Sequence, residues 1–294
     1  NAYDSYFLAQ PYLKMIQSGE VGTKELDDKV RRVLRLSFLT TMAKDRPLGS
    51  FGTEEHALAG RKIAEEGIVL LQNKNNILPI NLSKTKKVAV IGENAIKMMT
   101  VGGGSSSLKA KYEISPLDGL KNRIGSEAEV VYARGYVGDA STDYNGVNSG
   151  QNLAEKRSAQ ELKDEALKVA KEADIVIFVG GLNKSDFQDS EGHDRKSLGL
   201  PYNQDQLITD LLKVNKNLVF VNISGNAVAM PWVNQVPGIV QGWFLGTEGG
   251  NALASVLVGD VNPSGKLTFT FPAKLEDNGA HAIGEFPGSK DVNY

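Results

Sequence analysis

The sequence contains no cysteine, so it can supply neither a disulfide nor a thiolate nucleophile. Histidine is scarce: His56, His193 and His281 lie far apart in the sequence and show no metal-ligand spacing. Long apolar runs are missing as well. None approaches the roughly 20 residues that span a bilayer, and the N-terminal NAYDSYFLAQ has neither the basic start nor the apolar stretch of a signal peptide. There is no excess of one charge. With 33 basic and 35 acidic side chains the net charge is -2, which gives no field to draw nucleic acid or an anionic membrane. The missing initiator methionine reads as the mark of a processed or trimmed piece of a longer protein.

What is present is ordinary globular composition. The 294 residues are 41% hydrophobic and 23% charged, enough for one large domain or two smaller ones. From Thr23 to Met42, Leu26, Val30, Val33, Leu34 and Phe38 recur at helical spacing, with Thr23 as the expected N-cap. RPLGSFG reads as a linker. Thr53 is expected to cap a second helix, with Glu54 and Glu55 at the positive end of its dipole. That helix leads into IVLLQN, a short buried strand.

A regular alternation follows. Strand-like runs begin at Val88 (VAVIG), Glu129 (EVVYA), Ile175 (IVIFVG), Leu218 (LVFVNIS), Ile239 (IVQGWF) and Leu267 (LTFTF). Helical segments separate most of them, one opening at Ser115-Pro116, a cap followed by proline at the first helical position. Strands this apolar are covered on both faces, and their alternation with helices implies a mostly parallel sheet. The fold expected is therefore an α/β class, three-layer α/β/α sandwich with a mostly parallel six-stranded sheet. Its boundaries are set at residues 46–273, with terminal helices and a linker over 1–45 and an extended C-terminal tail over 274–294. The glycine-rich Gly135 to Gly150 reads as a long surface loop, and no internal repeat is evident.

Several motifs invite a function and fail on spacing. VAVIGENA and VGGGSSSL place glycines after a strand, as a phosphate-binding turn does. Yet Gly92 stands alone, Gly102, Gly103 and Gly104 are adjacent, and neither G-x-G-x-x-G nor G-x-x-x-x-G-K-[ST] occurs. A tight turn after a strand accounts for Gly92. GGGSSS reads either as a flexible loop or as a polar rim whose hydroxyls and amides bind sugar hydroxyls. Without a G-x-S-x-G elbow, a serine hydrolase is disfavoured.

The stretch SDFQDSEGHDRKSLGLP is different. It follows the most apolar strand and carries four acidic groups, Asp186, Asp189, Glu191 and Asp194, beside Arg195 and Lys196. In open α/β sheets, function gathers in loops beyond the carboxyl ends of strands. Taken bare, a glutamate in such a loop is ordinarily a solvated surface group.

The segments GIVLLQNKNNILPI, KVAVIGENA, GGGSSSL, SEGHDRKSLGLPYNQDQLI and VNPSGKLTFTFP, in that order, resemble the glycoside hydrolase family 3 enzymes, most nearly the bacterial β-glucosidases. The resemblance covers nearly the whole chain and implies several things. The typical enzyme has an N-terminal barrel bearing an aspartate nucleophile, then an α/β sandwich, and often a fibronectin-like domain. LAQPYLKMIQSGEVGTKELDDKVRRVLRL then corresponds to the last helices of the barrel. In the E-G-x-D-R pattern the glutamate is the general acid/base, which falls on Glu191. Asp194 and Arg195 are expected to shape the loop by pairing, and Ser105 and Ser106 to contact substrate. The implied partners are a β-linked carbohydrate substrate and the barrel domain, with no cofactor, no metal, no nucleic acid and no membrane.

Retaining hydrolysis needs one carboxylate to attack the anomeric carbon and a protonated one about 5–5.5 Å away to assist the leaving oxygen. The 294-residue chain by itself is therefore expected to be inactive on aryl β-glycosides, with Glu191 substantially exposed. Two alternatives stay open: a noncatalytic carbohydrate-binding or scaffold domain of the same family, or a β-xylosidase. The compartment is also open, since many bacterial relatives are periplasmic or extracellular.

Overall fold

The computed structural model describes residues 10–45, 47–100, 108–139, 143–144 and 147–282. The chain divides into two compact units, Asn1–Phe51 and Gly52–Tyr294. The first holds helices α1 (Gln10–Gln17) and α2 (Lys24–Leu39). Thr23 does not cap α2 as expected: its backbone is already helical, and its hydroxyl turns to Asp27 Oδ2 at 3.4 Å.

In the second unit the six apolar runs that form one sheet are β1 (Val69–Asn73), β2 (Lys87–Ile91), β3 (Glu129–Ala133), β6 (Ile175–Gly181), β7 (Leu218–Ile223) and β8 (Gly238–Gln241). A separate two-stranded ladder joins β4 (Asp143–Tyr144) to β5 (Val147–Asn148), inside the segment expected to be a long surface loop. The main sheet has the order β1-β8-β7-β6-β2-β3. Every neighbouring pair is parallel except β1 with β8, which is antiparallel.

Side chains alternate along each strand and so feed two cores. Val88, Val90, Ile177 and Val221 pack beneath α3 (Glu54–Gly67), α4 (Pro116–Ile124) and α7 (Gly249–Val258). Ala89, Ile91, Phe178 and Phe220 pack on the other side against α5 (Ala159–Glu172) and α6 (Gln204–Val214). The result is the three-layer sandwich. The helix starts follow from local chemistry. The Thr53 hydroxyl accepts from His56 N–H at 3.2 Å, and Ser115, with Pro116 next to it, accepts from Asp118 N–H at 3.1 Å. Ser158 and Glu161 form a reciprocal capping box at the start of α5.

Two expectations are corrected. LTFTF, from Leu267, forms no strand: Phe269 instead stacks on Phe271 and meets Trp243 edge-on at 5.8 Å. The sheet edge beside β8 is occupied by β1, so the IVLLQN run supplies the sixth strand. In the tail, the described residues hold a 3-10 turn at Leu275–Asp277 and a short helix α8 (Gly279–Ala282) rather than extended chain.

Candidate active site

The sheet order marks a candidate place for a ligand. From β2 the chain builds outward to β3 on one side, and from β6 through β7 to β8 on the other. Strand order therefore reverses between β2 and β6, and the crevice outside their carboxyl ends is the usual ligand position in such a sheet. The charged loop leaves β6 at this point, running from Leu182 to Asn203 before α6 begins. Glu191 is exposed, on a turn with Gly192 midway along the loop.

The loop is built from polar clamps. At its base the side-chain amide of Gln204, the first residue of α6, pairs with the Gly181 backbone: Gly181 N–H donates to Oε1 at 2.8 Å, and Nε2 donates to Gly181 O at 2.9 Å. Gln188 accepts from Asn183 N–H at 2.9 Å and donates to the Tyr202 hydroxyl at 2.5 Å. Asp205 accepts from the buried Trp232 indole at 2.7 Å. These contacts give LPYNQDQL a structural reason, since Tyr202, Gln204 and Asp205 close and brace the loop.

The same loop is fastened to the segment that leaves β7. Asp189 Oδ2 accepts from Gly225 N–H at 2.6 Å, and its Oδ1 accepts from the Asn226 side chain. Arg195 donates through Nη2 to Ala227 O at 2.6 Å, and Ala229 N–H donates to Leu198 O at 2.8 Å. Arg195, expected to shape the loop by pairing with Asp194, has this carbonyl as a partner. Asp194 is exposed, and no ion pair joins it to Arg195 among the described residues. His193 meets Asp186 at 3.3 Å and lies 5.1 Å from the Phe187 ring.

Two cations sit half-buried beside Asp189. Lys184 places Nζ 3.8 Å from the centre of the Phe244 ring. Burial lowers the pKa of both Lys184 and Arg195, and the Asp189 charge works against that shift in each. Ser105 and Ser106, the expected substrate contacts, lie outside the described residues. The chain entering their segment is held by Glu113, whose carboxylate accepts from Met99 N–H at 2.6 Å and Thr100 N–H at 3.0 Å.

A second charged cluster went unread in the sequence. Glu93, just past β2, is only 1% exposed. It accepts from Arg134 Nη2 at 2.7 Å and Gly138 N–H at 2.9 Å, with Lys97 Nζ 3.5 Å away. Burial pulls the Lys97 ammonium below its usual range, and Glu93 opposes that. The signal available was the i, i+4 pair Glu93–Lys97 in GENAIK, which shows a pair but not its burial. Among the described residues no three His, Asp or Glu side chains are grouped to hold a metal ion, and no helix is long and apolar enough to cross a membrane.

The features of the glycosyl hydrolase family 3 C-terminal domain span residues 68–293. A β-glucosidase of Bacteroides ovatus, BoGH3A, is 48% identical over 293 residues, covering 97% of this chain and 38% of the relative. A β-xylosidase of Formosa agariphila is 35% identical over 227 residues, covering 75% of this chain and 29% of the relative. The crystal structure of the Bifidobacterium adolescentis GH3 β-glucosidase superposes with a TM-score of 0.78 at 31% identity, over 95% of this chain and 38% of that one. The chain thus spans little more than a third of the length of these proteins at most. A mostly parallel sandwich carrying E-G-x-D-R on the loop after β6, matched along almost its whole length, makes this chain a member of glycoside hydrolase family 3 through its C-terminal domain.

Proposed function

We propose that this chain is the sandwich domain of a retaining β-glycosidase, a β-glucosidase in preference to a β-xylosidase, and that Glu191 is its general acid/base. The observation that carries this reading is the placement of Glu191. It is exposed, on a turn of the braced loop that leaves β6, one of the two strands between which strand order reverses. The higher identity to a β-glucosidase (48%) than to a β-xylosidase (35%) supports the choice of sugar. Residues 1–45 are then the end of a preceding barrel that supplies the nucleophilic aspartate, and Ser105 and Ser106 line the substrate side.

In this mechanism the aspartate attacks the anomeric carbon while the Glu191 carboxyl gives its proton to the departing oxygen. The bond from the anomeric carbon to that oxygen breaks as the glycosyl–enzyme ester forms. Glu191, now a carboxylate, takes a proton from water, whose oxygen attacks the anomeric carbon and releases the aspartate. Arg195 fastens the loop through Ala227 O and takes no proton.

The test uses the full-length enzyme. Glu191→Ala should lower kcat/KM by about 10²–10⁴-fold for substrates with poor leaving groups, which need the proton, and far less for activated aryl glycosides. Azide should restore turnover of the activated substrate and yield a β-glycosyl azide. Equal losses across all leaving groups, with no azide product, would count against the role.

A further inference from the structure

We infer that Asp189 is a positioning residue for Glu191, fastening the acid/base loop to the segment that leaves β7 so that proton transfer depends on it. The inference rests on the acid/base reading of Glu191.

The segment that receives Asp189 is itself fixed from below. Asn222, Ser224 and Gln241 are fully buried at the carboxyl ends of β7 and β8. Asn222 Nδ2 donates to Ser224 Oγ at 2.8 Å and to Gln241 Oε1 at 2.6 Å, and Gln241 Nε2 donates to Ser224 O at 2.7 Å. Ser224 Oγ in turn donates to Asn226 O at 2.8 Å. Residues 225–227 therefore stand on a buried polar network belonging to the sheet, which makes them a rigid base for a loop.

Two of the loop's fastenings land on that base, one on each side of Glu191. Asp189, two residues before it, uses both carboxylate oxygens on Gly225 and Asn226, while its own N–H donates to Asn183 O at 2.9 Å. Arg195, four residues after it, donates to Ala227 O. The turn between them, from Glu191 to Asp194, is exposed at every residue, and its His193 also meets Asp186 at 3.3 Å, so Asp189 and Arg195 anchor the two ends of a short exposed segment. Of the two ends, Asp189 is the stronger. It makes charge-assisted bonds with both oxygens and is also the anion facing half-buried Lys184 and Arg195. A misplacement of about 1 Å in a reacting group can cost on the order of 10²-fold in rate, so slackening this end reaches the proton donor without touching it.

The experiment measures kcat/KM of the full-length enzyme on aryl β-glucosides of graded leaving-group pKa, for Asp189→Ala, Asp189→Asn, Glu191→Ala and the Asp189→Ala/Glu191→Ala double variant. Asp189→Ala should lose about 100-fold on poor leaving groups and little on activated ones, with KM nearly unchanged. Asp189→Asn can still accept from Gly225 N–H while donating to a turned Asn226 amide, so it should recover most of the loss. It also serves if the Ala variant fails to fold. On the Glu191→Ala background, Asp189→Ala should cost nothing further, because it acts only through Glu191. If Glu191→Ala shows leaving-group dependence but Asp189→Ala slows all substrates equally, or costs as much without Glu191 as with it, this inference alone is overturned. A Glu191→Ala variant with no leaving-group dependence overturns the acid/base reading and this inference with it.

Discussion

Glu93 and Glu191 occupy corresponding places, each beyond the carboxyl end of one of two neighbouring parallel strands, and the fold treats them in opposite ways. Glu93 is sealed in, with Arg134, Lys97 and a backbone N–H already bound to its carboxylate. Glu191 stands on an exposed turn. Their glycines differ in the same sense. Gly92 has φ +119°, and a Cβ there would lie 2.1 Å from Val179 O; Gly192 has φ +91°, with nothing within 4 Å of the same atom. A buried carboxylate with fixed cationic partners holds the chain together. A carboxylate that exchanges a proton with substrate in each turnover must be reachable, which is the exposure proposed for Glu191.

The largest test of this contrast is on stability. Glu93→Ala takes the nearest counter-charge from buried Arg134, leaving it Glu155 at 3.5 Å, and weakens the pairing of buried Lys97, and should cost about 3–5 kcal/mol in urea denaturation. Glu191→Ala, on the open turn, should stay within about 0.5 kcal/mol of wild type. Comparable losses would erase the distinction. The glycines sharpen it. Gly192→Ala meets only the left-handed backbone penalty, about 1–2 kcal/mol. Gly92→Ala adds a collision with the main chain of β6 and should cost more than that, as read from the difference in melting temperature.

A smaller effect separates pairing at the helix surface from pairing in the Glu93 cluster. Asp210 on α6 bridges Lys163 of α5 at 2.5 Å and Lys213 at 2.7 Å. Those hydrogen bonds, Lys163 first, hold its carboxyl well below the usual carboxylate range. The folded value thus lies below the unfolded one near about 4. The bridge stabilises fully above that pH and loses its contribution as pH falls through the folded value. Asp210→Asn should lower the urea midpoint at pH 7, with the gap from wild type narrowing as pH drops below about 4. A gap that stays constant from neutral to acid pH would contradict the assignment.

Much of the fold was legible because burial on both faces of a parallel sheet leaves continuous apolar runs. IVIFVGG is such a run, and it became the inner strand β6 with all seven residues buried. LTFTF misled for a definite reason. Its alternation of large apolar residues with Thr satisfies a strand edge and an aromatic cluster equally, and in this fold the edge beside β8 is taken by β1. Thr23 looked like a cap, but a cap needs an extended backbone that residue type alone does not dictate. Glu191 could be singled out only by family resemblance, since composition makes it a surface glutamate. Asp189 was less legible still. Its partners Gly225 and Asn226 lie 36 and 37 residues away, and one of them is a backbone N–H that no side-chain pattern records.

The most direct test of the central claim, that Glu191 and not a buried carboxylate does the proton transfer, is the pH profile of kcat/KM for the full-length enzyme on a substrate with a poor leaving group. A general acid gives that profile a basic limb, where the acid has lost its proton. Glu191→Gln should remove the limb and lower the whole profile while leaving the melting temperature unchanged. A Glu191→Gln enzyme that keeps the basic limb of the wild type would place the acid elsewhere.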